Sequence, residues 1–98
     1  MLTSKQRGFL AGLGSIAQPT VMVGKEGASA AVEQALVAEL KCRELVKLRF
    51  INSKDDRDVL SRQLAERSGS DLVRLIGNVA IFFKPSPDPA HRRIILPV

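Results

Sequence analysis

The sequence predicts an α/β domain: a two-layer sandwich in the order α-β-α-β-α-β-β, with a four-stranded mixed sheet. Three observations carry this reading. Val46, Leu48 and Phe50 alternate with Lys47 and Arg49, a period of two that marks a strand with one buried and one wet face. Val32, Leu36 and Leu40 recur at i, i+4 and i+8, along one face of a helix. Two further apolar runs, Leu72 to Ile76 and Val79 to Lys84, are separated only by Gly77-Asn78, the short link of a tight hairpin.

Each element has its own local signal. Thr3 and Gln6 are spaced as a capping box, and Phe9, Leu10 and Leu13 supply an apolar stripe that Gly12 and Gly14 are expected to end. Pro19 opens a β-rich run, Thr20 to Val23, which Gly24-Lys25-Glu26-Gly27 breaks. An Ala- and Leu-rich helix follows from Ala28 to Lys41, with Ser29 a candidate cap, and then the strand Leu45 to Phe50. Asn52 to Asp56 reads as a turn and cap cluster before a helix from Asp56 to Arg67, closed by Ser68-Gly69. Pro85 to Pro89 is a loop, and Arg93 to Pro97 a last extended piece lying on the body. Right-handed crossovers in a sheet that grows one way put both crossover helices on the same face.

Ninety-eight residues hold one core, so residues 1–98 form a single domain. Fifteen Lys and Arg against ten Asp and Glu leave a net charge of +5, which favours a polyanionic partner. The lone Cys42 has no disulfide partner, and a single histidine, His91, excludes a histidine metal site. No run reaches membrane-spanning length, so no membrane partner is expected and the cytoplasm is the expected location. No phosphate-binding loop of nucleotide hydrolases is present, nor a base for a serine nucleophile. Asp55, Asp56 and Asp58 suit the positive end of a helix dipole better than a metal. The expectation is a binding module that is not an enzyme and carries no cofactor or metal.

The chemistry-bearing segment is the glycine loop between strand and helix. Gly24 and Gly27 permit φ > 0 and close approach of another backbone, Lys25 adds a cation, and the free N–H groups of the next helix point outward. Such a GxxG loop can grip a sugar-phosphate backbone. Glu26 would repel a phosphate or accept a hydrogen bond from a base or sugar. Lys5, Arg7, Lys84 and Arg93 are the candidate phosphate contacts, and Lys5, Arg7 and Arg93 have no acid three or four residues away.

Four strings in register, Leu2 to Arg7, Pro19 to Gly27, Ile76 to Lys84 and Arg93 to Pro97, resemble the YhbY family of stand-alone bacterial CRM (chloroplast RNA splicing and ribosome maturation) domains. The resemblance implies a fold similar to the C-terminal domain of translation initiation factor 3. It also implies RNA binding through the GxxG loop and basic surface, on structured precursors of the large ribosomal subunit. Glu26 stands where that family often has Asn, and Phe83-Lys84 where it commonly has Tyr-Arg. The alternative reading is a protein-interaction module that docks an acidic ribosomal or translation-factor surface. A monomer is favoured, although the sequence does not set the oligomeric state.

Overall fold

A computed structural model describes residues 2–25, 27, 29–51 and 56–98. Helix α1 spans Ser4–Ile16, β1 Pro19–Val23, α2 Ala30–Arg43, β2 Leu45–Phe50, α3 Arg57–Ser68, β3 Asp71–Ile76 and β4 Val79–Phe83, with a single 3-10 turn at Pro89–His91. The strands form one sheet in the order β1-β2-β4-β3. β1 and β2 run parallel, and β4 is antiparallel to both its neighbours. The α/β class, the element order and the mixed four-stranded sheet are those the sequence predicts.

The expected caps form. Gln6 N donates to Thr3 Oγ1 at 3.1 Å while Thr3 N donates to Gln6 Oε1 at 3.0 Å. Ser29 Oγ accepts from Val32 N, and Asp56 caps α3 by accepting from Asp58 N at 2.9 Å. Gly69 closes α3 at φ 68° and Gly77 turns the β3–β4 hairpin at φ 57°. Ala28 and Asn52 to Asp55, where the start of one helix and a turn were placed, lie outside the described residues.

Both crossover helices share one face, as the one-way growth of the sheet requires. Leu36 and Leu40 of α2 and Leu64 of α3 close over Val21, Val23, Val46, Leu48, Phe50 and Phe82. The layer description gains one addition, because the opposite face is also partly covered. There Leu10 of α1 packs on Val73, Ile81 and Phe83, joined by Ile94 and Leu96 of the C-terminal segment. Each fully buried Leu or Phe contributes about 1.5–3 kcal/mol, so this second cluster outweighs local propensity in placing α1 and the tail.

One expectation is corrected. Gly12 and Gly14 do not end α1, which continues to Ile16. Gly14 is glycine for packing: a Cβ there would lie 2.5 Å from Ile81 Cδ1, so its absence lets the helix settle on β4. Residues 93–97 lie on the body, as expected, fixed by side-chain contacts and by Glu44, described below.

Candidate nucleic-acid interface

The glycine turn sits at the carboxyl ends of β1 and β2. Gly27 N donates to Gly24 O at 3.1 Å, closing the turn, and Ser29 N donates to Gly27 O at 2.9 Å, leading directly into α2. Gly27 is buried at φ 71°, a backbone state that disfavours any Cβ. Gly24 differs: it is exposed, lies outside the left-handed region, and has no heavy atom within 4 Å of an added Cβ. Only Gly27 is glycine for its φ, which leaves close approach as the role open to Gly24. Lys25 is exposed at the tip, and Glu26 lies outside the described residues. Ile51 N donates to Val23 O at 2.7 Å and Phe50 N to Asn78 O at 2.8 Å, tying the turn to β2 and the hairpin end.

The face of the sheet that α1 leaves open runs up to this turn. Met22 of β1 pairs with Arg49 of β2, which pairs with Val79 of β4, so the three share that face. Met22 is 47% exposed. Arg49 is exposed and has neither an ion pair nor a side-chain hydrogen bond among the described residues. Lys47 lies on the same face two residues earlier, its Nζ donating to Ala17 O at 3.3 Å. Acids collect elsewhere: Asp56 and Asp58 at the start of α3 face Leu75 and Gly77, toward the β3 edge.

The seven described residues of those singled out in the sequence do not converge. Gly24, Lys25 and Gly27 occupy one end of the strands, while Lys84 and Arg93 lie toward the other, where Lys84 N meets Glu44 O and Arg93 N meets the Glu44 carboxylate. Lys84 Nζ donates to Ser68 O at 3.2 Å, on the negative end of α3. Arg7 Nη1 donates to Leu72 O and to Val73 O at 2.8 Å, where the β3–β4 register shifts and the ladder leaves carbonyls open. Its charge serves the fold. Lys5 Nζ reaches Val98 O at 3.4 Å, beside the chain end. Arg49 was not among the residues singled out in the sequence, although the alternation in Val46 to Phe50 already put it on a wet face.

Among the described residues, no group of three or more His, Cys, Asp or Glu is placed to hold a metal, and no helix is long and apolar enough to cross a membrane.

The model of the CRS1 / YhbY (CRM) domain matches residues 2–84. The chain belongs to this family. The CRM domain here is 33% identical over 98 residues to the "Probable RNA-binding protein YqeI" of Bacillus subtilis, covering 99% of this chain and 100% of that one. It is 32% identical over 89 residues to the "Probable RNA-binding protein PA4753" of Pseudomonas aeruginosa, covering 90% and 86%. The solution structure of the hypothetical protein SAV1595 from Staphylococcus aureus superposes with a TM-score of 0.84 at 32% identity, over 99% of this chain and 100% of that one.

One buried side chain gathers three backbone N–H groups of the segment after Lys84, beside the packing of Ile94 and Leu96 and the bond from Ser86 Oγ to Lys41 O. Glu44, 2% exposed, accepts from Arg93 N at 2.7 Å and Ile94 N at 3.2 Å through Oε1, and from Ser86 N at 3.0 Å through Oε2. It ends α2 at φ 64°, an uncommon conformation for a residue with a side chain.

Proposed function

We propose that this CRM domain is a non-enzymatic, cytoplasmic RNA-binding module, active as a monomer on structured precursors of the large ribosomal subunit. RNA as the partner is supported by the names of its relatives and by the net charge of +5. The observation that carries the site is the pairing of a closed, exposed glycine turn with an unpartnered arginine on the adjoining open face. Gly24 offers room for a sugar-phosphate backbone, the turn leads into the positive end of α2, and Lys25 and Arg49 supply cations on either side. The acids at the α3 start bias the RNA toward the β1–β2 side.

The fold fixes the described ends of the turn through three backbone hydrogen bonds, Gly27 N to Gly24 O, Ser29 N to Gly27 O and Ile51 N to Val23 O. The proposed action on the large subunit is supported by the resemblance of the chain to stand-alone bacterial CRM domains. Crosslinking in cells followed by sequencing of the bound fragments tests this reading. Enrichment of large-subunit precursor RNA is expected. Recovery of protein partners without RNA would instead favour the interaction-module reading.

A further inference from the structure

A cleft of about 690 Å³ opens at the end of the sheet opposite the glycine turn. Gln18, Thr20, Cys42, Arg43, Lys47 and Arg93 line it, three cations and no acid. Ala17 and Leu45 complete the wall. We propose that this cleft is a second RNA subsite, which holds a further phosphodiester stretch of the same strand that lies on the glycine turn. The proposal rests on the RNA-binding reading above and extends it to a surface which that reading does not require.

Charge and topology both support it. Arg93 has no acidic partner among the described residues, and its side chain is free of the hydrogen bond its backbone N–H makes to Glu44. Arg43 is paired with Glu39 at 2.8 Å, but the Arg43 side chain is 60% exposed and the pair meets solvent, and such pairs are weak. The Glu44 carboxylate lies behind the wall and is occupied by three N–H donors. The carbonyl end of α1 also borders the cleft and would repel a phosphate; Lys47 offsets this by donating to Ala17 O.

The two ends are joined by one face of β2. Lys47 in the cleft and Arg49 beside the turn project from the same face of β2, with Thr20 and Met22 on β1 alongside. The six residues of β2 span roughly 20 Å. A strand of RNA laid along this face would meet Lys25, Arg49, Lys47 and then Arg93 and Arg43. Gln18 and Thr20 add neutral donors for sugar or base edges at the cleft end.

The chain's lone cysteine makes the test direct. Cys42 is exposed and lines the cleft, so its alkylation by iodoacetamide reports occupancy there. With saturating oligouridine long enough to reach both ends, alkylation should slow several-fold. In Arg43→Gln/Arg93→Gln the salt slope of binding should flatten by about 1.4, from two lost contacts on single-stranded RNA. Binding with an unchanged slope in the double variant, and with Cys42 alkylated at its free rate, would overturn the subsite and leave the glycine-turn reading intact. Inorganic phosphate alone protecting Cys42 as well as RNA does would make the cleft a small-anion site and also overturn it. Loss of all RNA binding by the unaltered chain would remove both readings.

Discussion

The carboxylate of Glu44 accepts the backbone N–H of Arg93 at 2.7 Å, across 49 residues of sequence. With Ile94 N and Ser86 N on the same carboxylate, this bond anchors the segment whose Ile94 and Leu96 cover the second face of the sheet. The link couples the end of α2 to the C-terminus, and therefore to the wall of the basic cleft.

Glu44→Gln should destabilise the fold by about 2–3 kcal/mol, because an amide offers one acceptor where the carboxylate offers two and turns donors toward donors. The effect should depend on pH. Burial raises the Glu44 pKa, but the N–H groups of Arg93, Ser86 and Ile94 and the charge of Arg92 outweigh it and hold it below the ordinary 4.5. A carboxyl group lowered on folding stabilises above its unfolded value, and that contribution is lost as pH falls through the lower folded value. Melting temperatures measured from neutral pH down to well below 4.5 should therefore show the gap between Glu44→Gln and the unaltered chain closing as pH falls.

Gly14→Ala and Gly12→Ala should move stability in opposite directions. The first puts a Cβ 2.5 Å from Ile81 Cδ1 and 3.1 Å from its Cγ1 and Cγ2, in a packed cluster, and should cost about 1–3 kcal/mol. Adding Ile81→Val removes Cδ1 and should recover part of that loss. Gly12 meets nothing within 4 Å in the helix interior, so alanine there should stabilise by about 0.5–1 kcal/mol. Chemical denaturation of the three variants checks all three directions.

Arg7→Ala should destabilise without changing the salt dependence of RNA binding. Its guanidinium satisfies the Leu72 and Val73 carbonyls at the β3 irregularity, and hydrogen bonds to a charged group are worth about 1.5–3 kcal/mol. Thermal melts and a salt titration of binding separate that structural role from a phosphate contact, which would flatten the slope.

The two loop glycines should also separate. Gly27→Ala forces a Cβ onto φ 71° and should cost about 1 kcal/mol or more. Gly24→Ala should leave the melt nearly unchanged and weaken RNA binding, because the methyl group fills space that only a ligand would use. Circular dichroism melts beside filter binding read the two effects independently.

Much of this was legible in the sequence because the signals are local. The capping box at Thr3 and Gln6, the Ser29 and Asp56 caps, Gly69, and the Gly77-Asn78 hairpin each depend on a few neighbouring residues, and all are where the sequence puts them. What was not legible is long-range. Gly14 looks like a helix stop until Ile81 is seen against it. Arg7 and Lys84 look like free cations until the β3 carbonyls and the α3 end accept them. Glu44 carries no motif, since its three partners lie more than forty residues away. Arg49 was visible as a wet strand residue, but only the tertiary placement of α1 shows that its face stays open beside the glycine turn.

The central claim is that RNA lies on the glycine turn and the open face of β2. A salt titration of oligouridine binding by Lys25→Ala/Arg49→Ala tests it most directly. Both side chains are exposed and have no ion-pair partner among the described residues, so the variant should melt as the unaltered chain does. Its binding should weaken, with the slope of log affinity against log salt flattened by about 1.4 for two lost phosphate contacts. Unchanged affinity and slope in a folded variant would contradict the account.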